Sequence, residues 1–172
     1  MPLSRRELFE RLDALSIETT TVAHVPVFTV EAYERVLGHL PGAHCKSLFF
    51  KDKKDALWLV VALNARVLDM TLLARAIGAA RLSFGRPELL KEVLGVEPGS
   101  VSPLALVNDT RRRITVVLDR ALADAEVAHF HPLGNDATTA IRPVDLRRFI
   151  AHCGQRVIEA DLGALAGPEA AP

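Results

Sequence analysis

Residues 44–53 read HCKSLFFKDK, an apolar centre of Leu48, Phe49 and Phe50 with Lys46 before it and a cluster of charges after it. Aromatic side chains of this kind fit a pleated, half-buried surface, so residues 45–51 are expected to form a strand. Asp52, Lys53, Lys54 and Asp55 then supply a charged turn, and LWLVVAL at Leu57–Leu63 a second strand. Two such runs joined by a short polar segment read as a hairpin with a longer loop.

Toward the N-terminus, Ser4 and Glu7 have the spacing of a capping box. Leu8, Leu12 and Leu15 follow as one apolar helical stripe. Residues 17–24, IETTTVAH, are β-branched and read as a strand closed by Pro26. Thr29 caps a helix over residues 30–37, stopped by Gly38 and Pro41. On the other side, Asp69 caps a helix running to Ile77 with Gly78 at its end. Pro87 suits the first turn of a helix over residues 87–94, closed by Gly95. Strands are expected at 104–107, 114–118, 127–131 and 138–141, with the arginines at 111–113 tipping a hairpin. Pro143 opens a last helix with Leu146, Phe149, Ile150 and Cys153 inward and Gly154 as its stop, and residues 157–160 add a strand. Residues 162–172, small and rich in Gly, Pro and Ala, are expected to be a flexible tail. Interleaved helices and strands without a strict βαβ rhythm predict one α/β domain of the α+β type over residues 1–161. Its curved, mixed, mainly antiparallel sheet is surrounded by helices.

The 172 residues carry 21 Lys plus Arg against 21 Asp plus Glu, so no global field draws the protein to a nucleic acid; a local basic patch would suffice for an RNA partner. DNA and membrane partners are not expected. Two cysteines without a CxxC spacing suggest reduced thiols and a cytoplasmic protein. No run approaches the length of a membrane span, and the first eleven residues lack the apolar stretch of a signal peptide.

Phosphate-binding glycine loops, HExxH and GxSxG are all absent from the sequence. His129 and His131, two apart, would share a face of a strand and with a third ligand could hold zinc; one packed and one solvated imidazole is the plainer reading, and no metal is expected. Cys45 beside Lys46 could be an activated thiol, but strand neighbours point to opposite faces, which puts Cys45 in the core if Lys46 faces a cleft. Lys46 either snorkels to the surface or reaches into a cleft to hold a phosphate or a developing negative charge. GSVSP, residues 99–103, is either a plain turn or a loop whose N–H groups converge on a carbonyl or phosphate.

Taken together, HVPVFTVE (24–31), PGAHCKSLFFKDKK (41–54), RLSFGRPELLKEVLGVEPGSVSP (81–103), LVNDT (106–110) and FHPLGNDATTAI (130–141) resemble the prolyl-tRNA synthetase editing domains and their free-standing relatives, the YbaK/ProRS-associated superfamily. The set is most similar to the alanyl-tRNA(Pro) deacylases. That resemblance implies hydrolysis of the ester between a misplaced amino acid and the terminal adenosine of tRNA, with water positioned by the site, the tRNA hydroxyl assisting and no cofactor. It assigns catalytic roles to Lys46, Gly99 and His131. The substrate-binding residues would be Phe28, Val30, Ser47, Leu48, Phe50, Ser100, Val101, Ser102, Pro103 and Asn135. The acceptor end of tRNA(Pro) is the implied partner, with prolyl-tRNA synthetase or an elongation factor as candidate protein partners. Ser47 stands where the family commonly has asparagine, which leaves seryl, cysteinyl or another small aminoacyl ester open as the substrate, and a non-catalytic tRNA-binding module open as the function.

Overall fold

In the computed structural model, which describes residues 1–166, the capping box forms as the spacing demands. Ser4 Oγ accepts from the Glu7 N–H while the Glu7 carboxylate accepts from the Ser4 N–H, starting α1 (Arg5–Ala14) and burying Leu8 and Leu12. β1 (Thr19–Ala23) and α2 (Val30–Leu37, capped by Thr29) follow. The expected hairpin is β2 (Ala43–Asp52) with β3 (Leu57–Leu63), paired antiparallel from Cys45 opposite Leu63 to Lys51 opposite Leu57. α3 (Met70–Ile77) and α4 (Pro87–Leu94) end at Gly78 and Gly95, both in the left-handed conformation that glycine adopts without a Cβ penalty. The remaining elements are β4 (Leu82–Phe84), β5 (Ile114–Asp119), β6 (Ala128–Phe130), β7 (Ala137–Ile141), α5 (Pro143–Cys153) and β8 (Arg156–Ala160).

The strands form one mixed sheet in the order β1-β7-β6-β2-β3-β5-β8, with β4 paired to β2. β1–β7, β6–β7, β2–β3 and β2–β4 run antiparallel; β2–β6, β3–β5 and β5–β8 run parallel. β3 lies inside, so its apolar run is continuous: Leu57, Leu59 and Val61 enter a core with α1, α4 and α5, while Trp58 and Val60 enter a second core beneath α3. Burying both faces of a seven-residue strand makes this hairpin the centre of the molecule.

Four local expectations change. Residues 104–107 form part of a buried 3-10 helix, Pro103–Asn108, because Ser102 Oγ caps it by accepting from the Leu104 N–H and Pro103 presets a helical φ. The arginines at 111–113 lead from that helix into β5 and not around a hairpin, with the Asp109 carboxylate holding the N–H groups of Arg113 and Ile114. β4, only three residues long, went unforeseen. The expected tail is structured at its start: Leu162–Leu165 is a 3-10 turn with Leu162 buried against α3's core, and residues 167–172 lie outside the described part.

Candidate active site

One edge of β2 is covered by β3. The other is shared, β6 pairing with Ala43 and His44 and β4 with Phe50, Lys51 and Asp52. Between them, over residues 45–49, that edge has no strand partner among the described residues. A cavity of about 180 Å³ opens there, lined by Cys45, Lys46 and Ser47 of β2, by His129, Phe130 and His131 at the end of β6, and by Gly99 and Val101. Val27, Phe28, Thr29, Val30 and Tyr33 close a further side, and Asn64 after β3 completes it. Its volume is below the roughly 300 Å³ at which drug-sized pockets begin, so it suits a small group rather than a whole nucleotide.

Lys46 is half-buried at the cavity wall, and its ammonium donates to the Arg66 carbonyl. Burial lowers its pKa, because the charged form loses water. Of its three N–H donors, one is occupied by that carbonyl and two have no acceptor among the described residues. His131 Nδ1 lies 2.9 Å from the Ala137 carbonyl; a carbonyl only accepts, so Nδ1 carries a proton, and in the neutral ring Nε2 holds a lone pair that has no donor among the described residues. Burial lowers the proton affinity of His131 more than the Ala137 bond raises it, which favours the neutral ring.

Gly99 has φ +88° and follows Pro98 in a turn closed by the Ser100 N–H to the Glu97 carbonyl at 3.1 Å. Proline followed by a residue of positive φ is the signature of a type II turn, and here that is the reason for glycine. The Ser100 amide is therefore engaged, whereas the N–H groups of Gly99 and Val101 have no intramolecular acceptor among the described residues.

The other expected binding residues divide. Phe28, Val30, Ser47 and Val101 line the cavity, Phe28 with 74% of its surface exposed at the mouth. Phe50 does not: it is 0% exposed, inside the core beneath α3 against Phe84. Leu48 packs against that same core. Both share a face with Lys46, but along a strand rising about 3.3 Å per residue they lie deeper under α3 while Lys46 reaches the open end. Ser100, Ser102 and Pro103 are buried behind the lining, Ser102 as the helix cap. Asn135 is also one layer back, its amide donating to the Val27 carbonyl at 3.0 Å and its own carbonyl accepting from the Val27 N–H at 3.2 Å, which laces the Phe28 loop to the loop after His131. Cys45 lines the cavity as well as touching the main core, and burial, with the Asp119 carboxylate adding to it, pushes its thiol up to about 12.

Tyr33 and Asn64 were not foreseen. Tyr33 O–H donates to His44 Nδ1 at 3.0 Å, since His44 Nε2 donates to the Leu40 carbonyl at 2.7 Å. His44 stacks on His129 at 4.8 Å, and His129 in turn donates to the Pro41 carbonyl at 2.8 Å. Tyr33 also meets the His131 ring edge-on at 6.1 Å. The only hint in the sequence was a tyrosine on the inner stripe of α2 beside a histidine-rich segment. His129 and His131 each use one ring nitrogen on a carbonyl, and among the described residues no three His, Cys, Asp or Glu side chains are grouped to hold a metal ion.

The family model of the aminoacyl-tRNA editing domain matches residues 24–149, which contain every cavity-lining segment. The chain belongs to the aminoacyl-tRNA editing domain family. This editing domain is 45% identical over 148 residues to prolyl-tRNA synthetase associated domain-containing protein 1 of Danio rerio, covering 85% of the chain and 80% of the relative. It is 31% identical to the prolyl-tRNA editing protein ProX of Acetoanaerobium sticklandii, covering 86% and 90%. Its fold superposes on a crystal structure described as that of a candidate trans-editing enzyme for prolyl tRNA synthetase, with a TM-score of 0.67 at 21% identity over 91% of this chain and 97% of the other.

Proposed function

We propose that this editing domain is a trans-acting deacylase that hydrolyses the ester of alanyl-tRNA(Pro). The observation that carries the reading is the convergence of Lys46, Gly99 and His131 from three distant segments on one small cavity at the unpaired edge of β2. An aminoacyl ester is already activated, so orienting water and polarising the carbonyl supplies most of what hydrolysis requires. In this reading the Lys46 ammonium and the N–H groups of Gly99 and Val101 stabilise the negative charge that develops on the ester carbonyl. Neutral His131 presents Nε2 to the attacking water or a ribose hydroxyl and orients it. With Cys45 held as a thiol, no covalent acyl-enzyme is invoked. The acceptor end of tRNA(Pro) lies across the mouth beside Phe28, and the reaction takes place in the cytoplasm without a cofactor.

Alanine as the substrate follows from the double-sieve argument. A synthetase site shaped for proline rejects the smaller alanine by only about 1–3 kcal/mol, so a second, tighter site that excludes proline completes the discrimination. Val30 and Tyr33, which line the cavity, are the walls suited to that exclusion. Ser47, at the cavity where asparagine is usual in such domains, favours a second reading in which a seryl or cysteinyl ester is the substrate. A panel of alanyl, seryl, cysteinyl and prolyl esters on tRNA(Pro) separates the two: fastest release of alanine supports the first, and preference for serine or cysteine overturns it. Binding of the tRNA without hydrolysis of any ester overturns both.

A further inference from the structure

Asp119 ends β5 with 0% of its surface exposed, and its carboxylate gathers donors from one neighbourhood. Oδ2 accepts from the Leu63 N–H at 3.3 Å and from Arg66 Nε at 2.9 Å, and Oδ1 accepts from the Ala121 N–H at 3.2 Å. The Arg66 N–H donates to the Leu63 carbonyl at 3.0 Å, closing the turn that leaves β3. A single buried carboxylate thus holds both ends of this turn, and the carbonyl of Arg66 at its end accepts the Lys46 ammonium. Asn64, in the same turn, lines the cavity and ties it to α2 by donating to the Glu34 carboxylate at 3.0 Å.

Stability alone does not call for this arrangement, since a buried ion pair is often replaceable by packed apolar residues without loss. What the pair does supply is orientation. A lysine is a point charge on a flexible four-carbon stem, and an anchor is needed to give its ammonium one position. An anchoring carboxylate would neutralise that charge. The Arg66 carbonyl orients it and leaves the charge, with two N–H donors, for a ligand in the cavity.

We infer that Arg66 and Asp119 are positioning residues for Lys46, forming a clamp that aims its ammonium into the cavity. The effect on rate rests on the deacylase reading above; the clamp itself does not. Arg66→Met removes the guanidinium and keeps the stem, Asp119→Asn keeps the shape and removes the charge, and Arg66→Lys keeps a cation for Asp119. Arg66→Met leaves the buried Asp119 carboxylate with only the Leu63 and Ala121 N–H groups, so thermal unfolding establishes its folded fraction before rates are compared, while Arg66→Lys, which keeps a cation at the carboxylate, is expected to fold.

The experiment has two readouts on the same proteins: single-turnover hydrolysis of alanyl-tRNA(Pro) as a function of enzyme concentration, and the Lys46 ammonium resonance in proton–nitrogen correlation spectra without tRNA. In the wild type the ammonium protons exchange slowly enough to be seen. In Arg66→Met that resonance is lost and the maximal rate falls roughly 10- to 100-fold, the loss a misplacement of about 1 Å produces. The half-saturating concentration stays within about 3-fold, because ground-state binding is retained. Arg66→Lys recovers part of both signals. Arg66→Met or a folded Asp119→Asn that keeps the wild-type rate and the Lys46 resonance overturns the clamp. If the wild type hydrolyses no ester, the deacylase reading fails, and the resonance alone decides whether the clamp exists.

Discussion

Replacing Phe50 by alanine distinguishes a cavity wall from a core residue. Phe50 shares a strand face with Lys46, yet it is 0% exposed, its ring 4.8 Å from that of Phe84 within the core beneath α3. Removing a fully buried phenylalanine side chain costs about 3–5 kcal/mol in lost transfer energy and cavity formation. For a domain of this size each kcal/mol lowers the melting temperature by about 2–4 °C, so a fall of about 6–20 °C is expected. That is within reach of a protein whose total stability is of the ordinary 5–15 kcal/mol, and a folded population remains at low temperature. The assay pairs thermal unfolding with single-turnover hydrolysis of alanyl- and prolyl-tRNA(Pro), rates being expressed per folded molecule. Discrimination between the two esters should be unchanged. A fall in melting temperature below about 3 °C together with a changed alanine-to-proline ratio would refute the placement of Phe50 and the reasoning about its depth along β2.

Gly99→Ala forces a side chain into φ +88° and costs about 1–2 kcal/mol at the turn. Ester hydrolysis should fall more than thermal stability does, and an unchanged rate would remove the Gly99 N–H from the mechanism. Burial alone would raise the Asp52 carboxyl, but donors from Trp58, Lys54, Ala56 and Ala80 outweigh it and hold it below its ordinary 3.8. Its stabilising contribution is therefore complete above about pH 4 and is lost as pH falls through the lower, folded value. The stability gap between wild type and Asp52→Asn should narrow in urea titrations below pH 4, and a gap constant from pH 7 to pH 2 would contradict this. With burial pushing its thiol up to about 12, Cys45 is held as the thiol at pH 7, so alkylation should track unfolding; rapid labelling of the native protein would show that the thiol is activated. Tyr33→Phe deletes the bond to His44 and should cost about 0.5–1.5 kcal/mol in chemical denaturation, with no loss counting against that bond.

Much of the fold was legible where local chemistry and tertiary packing agree. The Ser4–Glu7 box, the caps Thr29 and Asp69, and the left-handed glycines Gly78, Gly95 and Gly154 all bound helices where their side chains or φ angles require. The apolar run Leu57–Leu63 was legible as a hairpin strand, whereas its burial on both faces comes from the cores packed on either side of it. Residues 104–107 misled because a short apolar run has no periodicity of its own; the capping Ser102 and the Pro103 that follows it were the better guide. The cavity was legible as a set of segments, since Lys46, Gly99 and His131 all line it. It was not legible as depth. Strand alternation gives the face on which Leu48 and Phe50 lie but not how far each sits beneath α3. The roles of Tyr33, Asn64 and Arg66 depend on contacts across 11, 30 and 20 residues that no local pattern records.

The most direct test is single-turnover hydrolysis of alanyl-tRNA(Pro) by the wild type beside Lys46→Ala, with prolyl-tRNA(Pro) as the control. The wild type should release alanine, spare the prolyl ester and lose about 100-fold or more of its rate on Lys46→Ala, as expected for a donor that stabilises developing charge. An alanyl ester left intact by the wild type, or hydrolysed equally well by the variant, would contradict the account.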